Sequence, residues 1–237
     1  MRTFKALSAL LSYPDEHLQN TAPELRDVLG EENLLPPDDR RLLDSLIDEI
    51  ATGDLYALQE RYVELFDRTR SLSLHLFEHV HGESRDRGQA MINLRSVYEQ
   101  NGLCLSTTEL PDYLPAFLEF LSTRPLTEAR TLLSQTAHIL TALAERLEKR
   151  HSPYVAAFSA LAALTAPAPD RPAVEVVPED PDADPNDFAQ LDAQWEEEAV
   201  TFGPAAAPSC KDRLVAQIRA GRRPVADLPR CRGEHHG

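Results

Sequence analysis

The sequence has little glycine, with nine residues among 237. Helix formers such as Leu, Ala, Glu and Arg are common instead, and these side chains lose less freedom in a helix than glycine does. The patterns G-x-G-x-x-G, G-x-x-x-x-G-K-[ST] and G-x-S-x-G are all absent from the sequence. The composition favours helices, and the missing patterns give no sign of a nucleotide loop or of a hydrolase nucleophile.

Basic residues are also few: 24 lysines and arginines stand against 39 aspartates and glutamates, for a net charge of −15. A surface of that sign repels phosphate backbones, which argues against a general nucleic-acid binder. It attracts a basic peptide, or the basic face of another protein, instead. The charge balance therefore favours a protein partner of opposite sign.

Cysteines and long apolar runs are scarce as well. Cys104, Cys210 and Cys231 are widely spaced and odd in number, which argues against a disulfide framework and is typical of a reducing compartment. The last two cysteines, taken with His235 and His236, match no compact zinc motif. No window approaches 18 uninterrupted apolar residues, and no secretory signal pattern is visible. These absences predict a cytoplasmic protein without direct membrane insertion.

Apolar residues recur at helical spacing before residue 164. One clear case is the series Leu55, Leu58, Tyr62 and Leu65, at steps of three, four and three residues. Asp54 precedes the series and is a residue type that favours helix N-caps. This segment is therefore predicted to form one amphipathic helix.

Other helix predictions rest on similar patterns. Apolar residues from 126 to 147 predict one long amphipathic helix. Residues 71–80 are ambiguous, because their leucines alternate as in a strand and also recur every four residues; helix is preferred because the neighbours are helical. Ser84 and Asp112 are each placed to cap a helix. Residues 1–164 are predicted to form a single all-α helical bundle domain, large enough to bury a core.

The composition changes at residue 165. Six prolines lie between 166 and 186, and eleven acidic residues stand against one basic residue between 170 and 198. A segment so poor in large apolar groups cannot bury enough surface to offset its ordering entropy. Residues 165–237 are predicted to be an acidic, proline-rich linker and tail that is largely disordered, with a short helix at 188–200.

Histidines are concentrated at residues 75–81. His75 and His79 stand four residues apart, as zinc ligands on one helix often do, with Glu78 and His81 beside them. The pattern H-E-x-x-H is absent, and no nearby cysteine completes a site. A small metal-dependent hydrolase is the alternative hypothesis that these residues raise. A helix–loop boundary or a partner-binding surface is the preferred interpretation.

Arg85 and Arg87 occupy an unusual place. Both fall in the first turn of the helix predicted to begin at Ser84, where the positive end of the helix dipole disfavours cations. Carboxylates such as Glu78 and Glu83 could supply the counter-charge, and so could an anionic ligand or a partner carboxylate. The sequence leaves both interpretations open.

Three blocks of the chain resemble a known family. Residues 62–68 (YVELFDR) and 73–91 (SLHLFEHVHGESRDRGQAM) resemble the central block of the NarJ-type respiratory nitrate reductase assembly chaperones. Residues 110–115 (LPDYLP), continuing to 119–121 (EFL), resemble their second block. Residues 191–203 are similar to part of their C-terminal region. The likeness runs from the N-terminus to about residue 203.

The resemblance implies an all-helical fold of the wider TorD type, and a chaperone rather than an enzyme. It implies binding to the N-terminal segment of the unassembled nitrate reductase α subunit in the cytoplasm. The subunit would be held until its molybdenum guanine dinucleotide cofactor is inserted, before membrane attachment. The cofactor would be delivered to the partner and not bound stably here, and cofactor biosynthesis proteins are expected as further partners. Tyr113 stands where the wider family often has histidine, so no nucleotide-binding role is carried over.

The side chains of the first two blocks are predicted to bind the partner. Apolar helix faces would form a groove for an amphipathic peptide helix, and acidic residues around it would pair with basic residues of the peptide. No residue is predicted to be catalytic or to bind a metal. The predicted partner-binding residues are Tyr62, Leu65, Phe66, Asp67, Arg68, Leu76, Phe77, Glu78, His79, Glu83, Arg85, Arg87, Asp112, Tyr113, Leu114 and Glu119.

Overall fold

Helices account for most of the residues that the computed structural model of this chain describes, namely 1–79, 84–105 and 109–165. Within these ranges the one extended pairing is an isolated bridge between His75 and Tyr113. The prediction of an all-α fold is confirmed. In chain order the helices are α1 (Arg2–Leu10), α2 (Glu16–Glu32), α3 (Pro37–Thr52), α4 (Leu55–Tyr62), α5 (Ser84–Gln100), α6 (Leu114–Ser122), α7 (Leu126–Ser134), α8 (Ala137–Lys149) and α9 (Val155–Leu164).

Local signals set several helix ends as the sequence predicts. Asp54 accepts a hydrogen bond from the backbone N–H of Ala57 at 3.0 Å, which confirms it as the N-cap of α4. α5 begins at Ser84, as expected. Gly102, two residues beyond the end of α5, takes a φ of 82°, a left-handed conformation that glycine adopts without strain.

α2 is a helix that the sequence analysis did not predict. Its apolar pattern is sparse, with Leu18, Ala22 and Leu29 as its buried residues, and Pro23 lies inside it. Asp15 nevertheless caps its start, because the carboxylate accepts a hydrogen bond from the Leu18 N–H at 2.7 Å. Tertiary packing against α1 and α3 compensates for the weak local pattern.

The single helix predicted across residues 126–147 is in fact two helices, α7 and α8. The break falls at Gln135 and Thr136, whose N–H groups bond to the carbonyls of Leu132 and Leu133, three residues earlier. The Thr136 hydroxyl also donates to the Leu133 carbonyl at 2.8 Å. Side-chain hydroxyls that bond to the local backbone compete with the helical pattern. The prediction of one continuous helix is therefore wrong.

The helix predicted for residues 71–80 is also wrong over its described part. Two short 3₁₀ turns, Arg70–Leu72 and Leu76–His79, flank a single extended position at His75. Leu74 is 2 % exposed, and the leucines at the adjacent turns are buried too. The three leucines of this irregular segment all enter the core, but Ser73 and Phe77 are buried beside them, so burial follows neither strand alternation nor the spacing of one helix.

The core is continuous between the helices. α1 lies against α2, α6 and α9, while α3 and α8 also pack on α9. Large side chains with almost no exposure, such as Phe4, Phe117 and Phe158, fill the space between them. No helix of the described part is long and apolar enough to cross a membrane. The domain boundary at 164 stays a prediction, because residues 166–237, including 188–200, lie outside the described ranges.

One cysteine departs from expectation. Cys104, just beyond α5, is disulfide-bonded in the structure. The sparse, odd cysteine count did not predict this bond. Cys210 and Cys231, together with His235 and His236, lie outside the described residues.

A carboxylate from α2 holds the start of α1. One Glu32 oxygen accepts from the Arg2 N–H, and the other accepts from the N–H and the hydroxyl of Thr3, each at 2.7 Å. α1 has no N-cap side chain of its own, so Glu32 caps it from a neighbouring helix. Burial raises the pKa of Glu32, but these hydrogen bonds outweigh burial and hold the pKa below its usual value.

Replacing Glu32 with glutamine is expected to lower the free energy of unfolding by about 1 kcal/mol, as for other lost helix caps. Because the folded-state pKa is depressed, the stabilisation is present at neutral pH and is lost as pH falls below about 4.3. The variant should therefore lose less stability than the parent between neutral and acid pH. Urea titrations at several pH values measure this.

Glu31 provides the matched control, since it forms only an exposed ion pair with Arg2. Glu31→Gln should cost almost nothing, as for most exposed pairs. Equal losses in the two variants, or an unchanged pH profile for Glu32→Gln, would show that the Glu32 carboxylate does not stabilise α1.

Candidate partner-binding site

The first two family-like blocks meet in space through the backbone. The Leu76 N–H donates to the Asp112 carbonyl at 3.0 Å, and the Leu114 N–H donates to the Leu74 carbonyl at 2.8 Å. These two bonds flank the bridge between His75 and Tyr113. Segments nearly forty residues apart in sequence therefore form one structural unit at the start of α6.

Asp112 is the buried centre of this unit, with 0 % exposure. One carboxylate oxygen accepts from the Phe77 N–H at 3.1 Å, and the other lies 3.2 Å from Nδ1 of His75. The hydrogen bond to Asp112 outweighs burial and raises the pKa of His75. The local sequence predicts Asp112 as a helix cap, but Tyr113 is the N-cap residue of α6. Asp112 instead fixes the 3₁₀ turn of the other block.

Tyr62 joins the site to α1. Its hydroxyl donates to the Leu11 carbonyl at 2.9 Å and lies 2.8 Å from the Tyr113 hydroxyl. Since the single proton of Tyr62 goes to Leu11, Tyr113 is the donor in the second bond. The chain continues from Tyr62 into one turn of π-helix, Val63–Asp67, called the π-turn below. Such turns inside helices are frequent at functional sites.

Aromatic rings pack beneath the π-turn. Phe66 meets both Tyr62 and Tyr154 edge to face, with ring centroids 5.0 Å apart in each case. Tyr13 stands edge-on to Tyr62 at 5.6 Å and is 47 % exposed. Tyr13 is not among the partner-binding residues predicted from the sequence. Its position directly before a proline gave no sign of this contact.

Six of the predicted partner-binding residues are core residues in this structure. The apolar faces predicted to line a groove are turned inward, and none of the six is more than 7 % exposed. In this structure they support the site from beneath, and their role in lining a groove for a partner stays a prediction. The six are Tyr62, Leu65, Phe66, Leu76, Phe77 and Leu114.

The exposed part of the site is polar and aromatic. Asp67 and Arg68 are exposed at the end of the π-turn, and Tyr113 is partly exposed. Burial raises the pKa of Asp67, although the charge of His75 opposes the shift. Glu119, on α6, is half-exposed and lies 3.9 Å from the Lys5 ammonium. The binding role of all these residues stays a prediction.

His79 is not available as a surface ligand, since it is 1 % exposed. Its Nε2 lies 2.6 Å from the Ser73 carbonyl, so this nitrogen carries the proton and donates. Burial lowers the pKa of His79, which keeps the ring neutral at pH 7. His75 is bonded to Asp112 instead, and His81 lies outside the described residues. The described ranges hold no group of three or more metal-binding side chains, so the hydrolase hypothesis gains no support.

Arg87 has a protein counter-charge. Its guanidinium lies 3.1 Å from the Glu78 carboxylate, and both side chains are less than one-third exposed. Burial raises the pKa of Glu78, but hydrogen bonds from Ser73 and Arg87 outweigh it and the pKa is lowered. The pair explains how a cation is accommodated in the first turn of α5. Glu83 and the side chain of Arg85 lie outside the described residues.

Arg146 is a supporting residue that the sequence analysis did not select. It lies on α8, is 7 % exposed, and donates to the Ser71 carbonyl at 2.6 Å. An arginine near a helix C-terminus usually indicates only a favourable dipole contact, so the local sequence gave no signal. The bond attaches the first 3₁₀ turn to α8.

Comparison with known proteins identifies the family. The model of the nitrate reductase delta subunit family matches residues 15–160. The nitrate reductase molybdenum cofactor assembly chaperone NarJ of Escherichia coli K12 is 44 % identical over 198 residues, 83 % of each chain. The probable assembly chaperone NarW of the same strain is 39 % identical over 92 % of this chain and 91 % of its own. The probable NarJ of Bacillus subtilis is 36 % identical over 64 % of this chain and 82 % of its own. The chain therefore belongs to the nitrate reductase delta subunit family, which contains the NarJ-type assembly chaperones.

Proposed function

We propose that this protein is a cytoplasmic chaperone that binds the N-terminal segment of the unassembled nitrate reductase α subunit. It holds that subunit while the molybdenum guanine dinucleotide cofactor is inserted, before membrane attachment. The observation that carries the proposal is the joining of the two family-like blocks into one unit around Asp112, with polar and aromatic groups on its outer side.

The chemistry of the outer side favours a basic, amphipathic partner. The chain carries a net charge of −15, and Asp67, Glu78 and Glu119 each retain some exposure near the joined blocks. Tyr13 and Tyr113 add partly exposed rings. Aromatic rings and carboxylates together suit a helix with one apolar face and several cations.

The buried residues have a supporting role in this proposal. Asp112, His79 and the aromatic rings beneath the π-turn hold the outer side chains in place. The protein itself performs no catalysis, and the cofactor is cargo of the partner. Cofactor biosynthesis proteins are proposed as further partners, while neither nucleic acid nor the membrane interior is proposed as one.

Calorimetry with a synthetic peptide of the α subunit's N-terminal segment tests the proposal. We expect saturable binding that weakens as salt is raised, because exposed charge pairs are screened. A peptide of the same length with its Lys and Arg replaced by Gln is the control and should bind more weakly. No heat up to high micromolar peptide, in low salt and at two temperatures, would contradict the proposal.

A further inference from the structure

Three exposed or partly exposed apolar side chains are linked by contacts beside the joined blocks. Tyr13, which is 47 % exposed, stands edge-on to Tyr62 at 5.6 Å, and the Tyr62 hydroxyl lies 2.8 Å from that of Tyr113. The Tyr113 N–H donates to the carbonyl of Leu110 at 3.1 Å, and Leu110 is also 47 % exposed. Tyr13, Tyr113 and Leu110 are called the apolar surface below. Exposed apolar groups that lie together often mark a binding surface.

The apolar surface belongs to an acidic domain. Residues 1–165 contain 25 acidic and 16 basic residues. One of the acids, Asp67, is exposed and directly follows Phe66, whose ring contacts that of Tyr62 at 5.0 Å. Such a surface attracts a segment that carries cations beside an apolar face.

The tail of this chain contains a segment of that chemistry. Residues 211–223 (KDRLVAQIRAGRR), called the basic segment below, hold five basic residues and one acidic residue. Leu214, Val215 and Ile218 are spaced to share one face of a helix. The basic segment lies outside the described residues, so the inference uses its sequence alone. That sequence has the pattern of a basic amphipathic helix, the same chemistry as the proposed partner.

The disulfide of Cys104 connects the tail to the helical domain. Cys104 is disulfide-bonded, and the sequence contains two other cysteines, Cys210 and Cys231. A bond within one chain therefore joins Cys104 to a cysteine of the tail. Cys210 directly precedes the basic segment, and Cys231 follows it closely. Either bond brings the basic segment to the end of α5.

The end of α5 is tied to the apolar surface. The Leu103 N–H, next to Cys104, donates to the Tyr98 carbonyl at 3.0 Å. The Tyr98 hydroxyl donates to the carbonyl of Pro111 at 2.9 Å, and Pro111 directly follows Leu110. The length of the chain permits the contact too, because a flexible connection of about 45 residues spans roughly 35–40 Å. The basic segment can therefore reach the apolar surface.

We propose that the basic segment occupies the apolar surface when the α subunit is absent, and that the α-subunit segment displaces it. The tail is then an internal competitor that covers the binding surface until the partner arrives. Linkage to the domain gives the basic segment an effective concentration of about 1 mM, so a weak contact is enough to cover the surface. The inference rests on the proposed function and adds its regulation.

Calorimetry with the full chain and the α-subunit peptide tests the competition. The double variant Arg219→Glu, Arg222→Glu should bind the peptide about two- to tenfold more tightly than the parent. That factor is expected if the basic segment alone binds with a Kd of about 0.1–1 mM. The double variant Arg230→Glu, Arg232→Glu makes the same change of charge in the tail beyond the basic segment, and its affinity should stay closer to that of the parent.

Each measurement is made with and without dithiothreitol, which reduces the Cys104 disulfide to two thiols and is itself oxidised. Reduction lowers the effective concentration of the basic segment, so it should raise the affinity of the parent for the peptide. It should leave the affinity of the Arg219→Glu, Arg222→Glu variant unchanged.

A synthetic peptide of residues 209–224 provides a direct test. Added to the Arg219→Glu, Arg222→Glu variant, it should bind and should compete with the α-subunit peptide. Tyr13→Ser, made in that variant, should weaken its binding, whereas Tyr56→Ser, at a position that is 81 % exposed on α4, should not. Circular dichroism melts of both serine variants exclude a loss of binding through unfolding.

The outcomes separate this inference from the function on which it depends. Equal affinities of the two charge-reversed variants, no binding of the 209–224 peptide, or a disulfide-linked dimer on a non-reducing gel would overturn the internal competitor. If the 209–224 peptide binds but the α-subunit peptide binds neither the parent nor the variants, the proposed function fails instead.

Discussion

Replacing Phe66 with alanine is expected to lower the free energy of unfolding by about 3–5 kcal/mol, the range for phenylalanine truncations in protein cores. The Phe66 ring is 4 % exposed and packs edge to face on Tyr62 and Tyr154. Truncation would leave a cavity beneath the π-turn and remove both ring contacts. Urea titration followed by circular dichroism measures the change.

Tyr56 is the matched control, because it lies on the preceding helix and is 81 % exposed. Tyr56→Ala should alter stability by no more than about 0.5 kcal/mol. This pair of variants also decides between two roles for Phe66. A stable Phe66→Ala chain that fails only in peptide binding would restore the groove-lining role predicted from sequence, and would contradict its assignment to the core.

Replacing Asp112 with alanine is expected to cost about 2–3 kcal/mol. The change leaves the buried Phe77 N–H without an acceptor and removes the partner of the His75 imidazole. Asp112→Asn keeps the shape and one carbonyl acceptor, so it should cost less. Chemical denaturation of the three proteins gives the order of stability.

The asparagine variant also reports on His75. Its pKa in the folded parent is raised, chiefly by the hydrogen bond to Asp112, so this bond contributes stability below about pH 6.5 that is lost as pH rises through the folded-state value. Asp112→Asn should lower the His75 pKa, which an NMR titration of the imidazole protons would record. An unchanged His75 pKa in Asp112→Asn would contradict the pairing.

Features that depend only on residues within one helical turn could be predicted from the sequence. Asp54 lies at a helix start because capping depends on neighbours three or four residues away. Apolar spacing likewise identified the inward face of α4. These features needed no knowledge of the rest of the chain.

The role of Asp112 could not be predicted in this way. A carboxylate two residues before α6 has the local pattern of a cap, but its acceptor oxygens face the N–H of Phe77, 35 residues away in sequence. The break at Thr136 is similar, because periodicity continues through it while hydroxyl bonds to the backbone interrupt the helix. In both cases a side-chain bond overrides a pattern that is otherwise correct.

Which residues of the candidate site are buried could not be predicted from the sequence either. Periodicity indicates that Tyr62, Leu65 and Phe66 share an apolar face, but not whether that face meets the core or a partner. In the structure it meets the core. The exposed groups that remain, such as Tyr113 and Asp67, are defined by contacts between blocks, and a single sequence does not contain those contacts.

The molybdenum content of the nitrate reductase α subunit tests the central claim most directly. The α subunit would be purified from cells that lack this protein and from the same cells supplied with it, and molybdenum would be measured per subunit. We predict that without this protein the α subunit accumulates with little molybdenum, and that supplying the protein raises the molybdenum content of the subunit. Equal molybdenum per subunit in the two preparations would contradict a role in cofactor insertion.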